Sequence, residues 1–103
     1  MIIAIDYDNT YTADPETWNK VIKLFQDAGH TVICVTGRDG GVMGDPVRAS
    51  IGQLVPCIFA GPEWKKVAAK NHGYNVDVWC DDVPNMISPQ NPMSPRNLRG
   101  SRG

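Results

Sequence analysis

The sequence predicts an α/β protein: a three-layer αβα domain built on a small parallel sheet of about four strands. Two observations carry that prediction. Short, nearly continuous apolar runs recur at Ile2–Asp6, Thr31–Thr36, Pro56–Ala60 and Val76–Cys80, the pattern of strands covered on both faces. Between them lie segments whose apolar residues repeat at helical spacing, and strand–helix alternation of this kind implies a parallel sheet with helices on its faces. Right-handed crossovers confine the topology to a few options. If strands one to three run outward in order and strand four returns beside strand one, the order is 4-1-2-3, with a topological switch point between strands one and four.

Each element has a local reason. After strand one, Asp14-Pro15-Glu16 supplies an N-cap, a proline at the first helical position and an acid in the first turn. Trp18, Val21, Ile22, Phe25 and Ala28 then form one apolar face, and Gly29 stops the helix. Strand two, Thr31–Thr36, breaks at a hydroxyl and runs into a flexible loop containing Asp39-Gly40-Gly41 and Gly44. Asp45-Pro46 begins a second helix with Val47, Ile51 and Leu54 inward, weakened by Gly52. The short third strand ends at Gly61-Pro62. Glu63–His72 reads as a third helix packed through Trp64, Val67 and Ala68 and ended by Gly73. Strand four leads to Asp81-Asp82 and a short turn or helical segment, Val83–Ile87.

A chain of 103 residues is one small domain, able to bury about 65% of the surface its unfolded form exposes. Residues 1–87 make that domain, and residues 88–103, rich in Pro and Ser with Arg96, Arg99 and Arg102 unbalanced by acids, read as a flexible basic tail. The net charge of -1 gives no general pull toward nucleic acid. No apolar run approaches the ~20 residues of a membrane span, and no basic leader precedes strand one, so a soluble cytoplasmic protein is expected. Cys34, Cys57 and Cys80 lack CxxC spacing and read as reduced thiols in apolar runs. His30 and His72 stand beside probable helix ends, too far apart for a metal cluster.

The chemistry concentrates at strand ends. Strand one stops at Asp6-Tyr7-Asp8-Asn9-Thr10, and residues i and i+2 of an extended segment project to one side. Two carboxylates held this close need a cation, a shared proton or full solvation, although Asp and Asn also commonly punctuate turns. Strand two ends at Thr36-Gly37-Arg38, and strand four at Asp81-Asp82, which can also cap the segment that follows. Lys65 and Lys66 stand early in the third helix. The predicted topology would gather Asp6, Asp8, Asp81 and Asp82 at one crevice beyond the carboxyl ends of the strands.

These four clusters, in this order, resemble the motifs of the haloacid dehalogenase-like (HAD) superfamily over residues 1 to about 87. The resemblance implies a Rossmann-like fold and a Mg²⁺-dependent phosphomonoester hydrolase acting through an aspartyl-phosphate. It implies Asp6 as nucleophile and Asp8 as general acid and base. It implies Thr36 as a phosphate contact and Lys65, with Lys66 as the alternative, as the steadying cation. Mg²⁺ would be held by Asp6, the main-chain carbonyl of Asp8, Asp81 and Asp82. Thr10, Gly37 and Arg38 would meet the substrate, with Arg38 and Arg48 as candidates for a second phosphate. Asn9 stands where many members have Gly, and Tyr11 where a smaller aliphatic residue is usual. The spacing from Thr36 to Lys65 leaves room for one helix and one strand and no cap domain, so the expected partner is a phosphorylated substrate reaching an open site: a nucleotide, a polynucleotide end, a phosphoprotein or another phosphomonoester. Two alternatives stand beside this one: a receiver-like module, which would need an acid after strand three, and a catalytically silent phosphate- or metal-binding module.

Overall fold

The computed structural model describes residues 1–89; all but the first two residues of the expected tail lie outside them. The sheet has four parallel strands, β1 (Ile2–Ile5), β2 (Thr31–Thr36), β3 (Cys57–Phe59) and β4 (Val78–Cys80), in the order β3-β2-β1-β4. This is the predicted order read from the other edge. The helices are α1 (Pro15–Asp27), α2 (Asp45–Ala49) and α3 (Lys65–Asn71). No helix among the described residues is long and apolar enough to cross a membrane.

The period-two alternation of the strands divides the core into two layers. Ile3, Ile5, Val32 and Cys34 face one way and pack with Ile22 of α1, Val47 of α2 and Ile51. Ala4, Ile33, Val35 and Ile58 face the other way and pack with Ala68 and Ala69 of α3. The side chains that α3 turns to this face, Ala68 and Ala69, are small and fully packed against the sheet, on the same inward side as Lys65. Cys34, Cys57 and Cys80 are free thiols, all belonging to the first layer.

The capping residues act as expected. Asp14 accepts a hydrogen bond from the Thr17 N–H at 3.2 Å, with Pro15 opening the helix. Trp18 and Phe25 pack on the sheet beside Ile22, whereas Ala28 is the exposed C-cap.

Two inward faces differ from expectation. α2 ends at Ala49 because Ser50 leaves helical geometry, and a 3-10 turn, Ile51–Gln53, follows. A 3-10 turn advances with three residues per turn, so Leu54 loses the inward phase and is 43% exposed while Val55 is buried. In α3 the buried residues are Lys65, Ala68 and Ala69, leaving Trp64 and Val67 exposed. The helix begins at Lys65 rather than at Glu63, because Trp64 is extended. The inward face is therefore rotated by one residue, with a lysine in the seat expected for a tryptophan. β4 is also shorter than the apolar run suggested, starting at Val78.

The two-layer packing makes a direct prediction. Ile33→Ala, at a fully buried position, lowers stability by about 2–5 kcal/mol. Leu24→Ala, on the exposed side of α1, changes it by less than about 0.5 kcal/mol. Urea denaturation of both variants, read as midpoint shifts at constant slope, checks the assignment.

Candidate functional site

β1 lies between β2 and β4, so the chain's direction of travel reverses beside it and a crevice opens beyond its carboxyl end. The pairing continues one residue past the strands: the Asp6 N–H donates to the Cys80 carbonyl at 2.9 Å. This places Asp81 alongside Asp6. Lys65, on the inward face of α3, donates to Asp6 Oδ1 at 2.8 Å and to Asp81 Oδ2 at 2.6 Å. All three side chains are buried, at 5%, 7% and 2% exposure for Lys65, Asp6 and Asp81. The geometry selects Lys65 over Lys66, whose side chain is exposed.

Asp81 is oriented from both sides, because its Oδ1 accepts the Val83 N–H at 2.9 Å. Asp82 is tied through Thr10. The Thr10 hydroxyl lies 3.3 Å from Asp6 Oδ2 and 3.2 Å from Asp82 Oδ1, and it accepts the Asp82 N–H at 3.2 Å. Its single proton serves one carboxylate at a time. Asn9, between Asp8 and Thr10, has φ of 63°, the left-handed region that Asn tolerates better than most residues other than Gly. Asn at this position therefore still allows the sharp turn.

The electrostatics follow from burial. Loss of solvent pushes the Asp6 carboxyl up to about 6; the Lys65 hydrogen bond draws it down, and the neighbouring Asp82 and Asp81 push it up again. For Lys65, burial disfavours the ammonium, but its bonds to Asp6 and Asp81 outweigh that and raise its pKa. One ammonium thus stands among three carboxylates.

Asp8 faces a different partner. Arg38 donates from Nε to Asp8 Oδ2 at 3.0 Å and from Nη2 to Asp8 Oδ1 at 2.8 Å, a two-point fork. Hydrogen bonding to Arg38 holds the Asp8 carboxyl below its ordinary range. The guanidinium rests 5.1 Å from the centre of the Tyr7 ring, and its Nη1 donates to the Met43 carbonyl at 2.6 Å. Thr36 is fully buried and accepts the Arg38 N–H at 3.2 Å, so the strand-two hydroxyl shapes the turn that delivers Arg38 to Asp8. Arg48 is spent elsewhere: it packs 4.8 Å from the Phe59 ring centre and bonds the Gly40 and Gly41 carbonyls and Asp45.

The cleft has a volume of about 300 Å³ and is lined by Asp6, Asp8, Asn9, Gly37, Lys65, Asp81 and Asp82 together with Val83 and Met86. Comparison of the chain with protein-family models, with curated proteins and with solved structures gave no match. The chemistry of the cleft is therefore read from its own residues.

Thr10 lines a neighbouring cavity that shares Asn9, Asp81 and Asp82 with the cleft, Thr36 is fully buried outside the lining, and Arg38 reaches the cleft only through Asp8. Val83 and Met86 were not anticipated as site residues. The available signal was an apolar pair in a segment too short for a helix, directly after the strand-four acids. Tyr7, which supports Arg38, was legible only as the residue between two acids.

Asp6, Asp81 and Asp82 can each offer a carboxylate oxygen such that the three lie within 4.8 Å of one another. All three donors are hard oxygens, the set that suits hard divalent cations such as Mg²⁺ and Ca²⁺. The Asp8 carboxylate, turned to Arg38, does not belong to this group.

A divalent ion that binds here stabilises the folded state by mass action, about 2.7 kcal/mol at one hundred times Kd. Mg²⁺ is thus expected to raise the thermal midpoint of the wild type, and Asp81→Asn or Asp82→Asn to abolish that rise. Protons compete with the ion for Asp6, so the rise should shrink as pH falls through about 6. A rise that persists in both variants, or that grows on acidification, contradicts the assignment.

Proposed function

We propose that this chain is a HAD-type phosphomonoester hydrolase that works through an aspartyl-phosphate and needs Mg²⁺. The single observation that carries the reading is the buried bridge from Lys65 to Asp6 and Asp81. Strand ends and a helix start far apart in sequence meet there, each contributing the residue type that phosphoryl transfer requires.

In the first half-reaction an Asp6 carboxylate oxygen bonds to phosphorus while the bond to the ester oxygen breaks, and Asp8 gives its proton to the departing alkoxide. In the second, water attacks the phosphorus, Asp8 takes the water's proton, and the bond to Asp6 breaks to release phosphate. Lys65 keeps Asp6 oriented and offsets the charge of the acids, so an anionic phosphoryl group can approach a carboxylate. Gly37 lines the cleft without a side chain, allowing close approach of the phosphoryl group to the main chain. The fully buried Thr36 hydroxyl acts on the site through the turn to Arg38, and the expected contact with a phosphate oxygen would need that turn to open. Mg²⁺ held by Asp6, Asp81 and Asp82, with the Asp8 main-chain carbonyl, would supply positive charge to a phosphate oxygen. For its acid role Asp8 must take up a proton on one oxygen and release that arm of the Arg38 fork, while its other oxygen still accepts from Arg38, which makes Arg38 a positioning residue.

One observation favours a second reading, a phosphate- and metal-binding module without turnover: the Arg38 fork holds Asp8 in the form that cannot protonate a leaving group. The receiver-like alternative is disfavoured because β3 runs into Ala60-Gly61-Pro62 with no acid.

Mg²⁺-dependent phosphate release from simple phosphomonoesters separates the first two readings. Asp6→Asn is expected to reduce the rate by roughly a thousandfold or more. Lys65→Met is expected to cost on the order of a hundredfold, and Lys66→Met less than about twofold. Circular dichroism of each variant controls for folding. Release that survives Asp6→Asn rejects the nucleophile, and a wild type that binds Mg²⁺ but releases nothing favours the module.

A further inference from the structure

Beside the acids the cleft has a wall of a different character. Val83 and Met86 line it, and they remain 47% and 46% exposed. Their position is held by several backbone bonds. In the 3-10 turn Pro84–Met86, the Met86 N–H donates to the Val83 carbonyl and the Ile87 N–H to the Pro84 carbonyl, both at 3.0 Å. The Val83 N–H is bound to Asp81 Oδ1, and the Ile87 carbonyl accepts the Lys66 N–H at 2.8 Å. The apolar pair is therefore fixed to the same backbone that carries Asp81 and Lys65. Apolar side chains left open at the mouth of a preformed polar cleft mark a place for ligand contact.

The charges restrict what that ligand can be. Among the described residues lining the cleft, Lys65 is the only cation, and it already serves two carboxylates. Arg38 nearby is committed to Asp8 and to the Met43 carbonyl. The other charged residues of the lining are Asp6, Asp8, Asp81 and Asp82. A second anionic group on the substrate would meet carboxylates and no uncommitted cation, an arrangement that selects against it.

We infer that the organic part of the substrate is an uncharged alcohol with an apolar face, seated on Val83 and Met86. The inference rests on the hydrolase reading above and names the class of its leaving group. It argues against a polynucleotide end, whose neighbouring phosphate would stay charged.

Benzyl phosphate and glycerol phosphate have alkyl leaving groups of similar intrinsic reactivity and differ in the apolar face. Benzyl phosphate is expected to be preferred in kcat/KM on the order of tenfold. Met86→Ala, alone and with Val83→Ala, should reduce that preference to about threefold or less, mainly through KM. A nucleoside monophosphate should likewise exceed the matching bisphosphate. Equal rates for the two alcohols, a preference that survives both substitutions, or a bisphosphate used as well as the monophosphate would overturn the inference. Where that release still requires Asp6, the hydrolase reading stands without it. If the wild type releases phosphate from none of these esters, the hydrolase reading fails, and binding decides the seat. Benzylphosphonate with Mg²⁺ should then shift the Met86 and Val83 methyl resonances where methylphosphonate does not. Equal or absent shifts overturn the inference.

Discussion

The arrangement of this molecule depends on one buried ammonium, Lys65, held between Asp6 and Asp81. Removing three charged groups from water is costly, and a cluster of this kind persists only where geometry and further hydrogen bonds offset the loss. Here the offsets are visible. Asp6 also lies within reach of the Thr10 hydroxyl, and Asp81 accepts the Val83 N–H. The bridge ties the ends of β1 and β4 to the start of α3. It also leaves the cluster short of positive charge, since Asp82 stands beside it. A site built in this way could hold a cation, because the fold has already brought the carboxylates together.

Around that bridge the remaining polar residues act as supports. Asn9 takes the left-handed turn, Thr10 ties β1 to the acid after β4, and Thr36 shapes the turn that brings Arg38 to Asp8. Arg38 stacked on Tyr7 and bonded to Met43 connects Asp8 to the glycine-containing loop after β2. Two acids only one residue apart thus sit in contrasting environments. Asp6 is buried with a lysine and shifted upward; Asp8 is half exposed with an arginine and shifted downward. The separation runs against a proton-donating role for Asp8 in the free state, because the acid of such a pair needs the raised value and here that value belongs to Asp6.

Much of the fold was legible locally. The strand runs, the Asp14-Pro15 start of α1 and the strand-end acids depend on period, capping and composition, which neighbouring residues determine. The inward faces of α2 and α3 were less legible, because each was phased by choosing the most apolar residues. In α3 that choice favoured Trp64 and Val67. The carboxylates of Asp6 and Asp81, distant in sequence, instead draw Lys65 inward and leave small alanines against the sheet. In α2 the break at Ser50 changed the phase before Leu54. The apolar wall of Val83 and Met86 was hidden for a related reason: its position depends on a backbone bond from Lys66 to Ile87.

The sequence by itself determined the strand and helix segments, their parallel sense and the residue types at each strand end, since these follow from short-range periodicity and strand–helix alternation. The return of β4 beside β1 was one of a few allowed options. Only the tertiary structure decided that Lys65 rather than Lys66 meets the acids. It also decided that Asp8 pairs with Arg38 and that the cleft has an apolar side. Those outcomes depend on distances between segments far apart in the chain, and such distances exist only once the sheet has closed and the helices have settled on its faces.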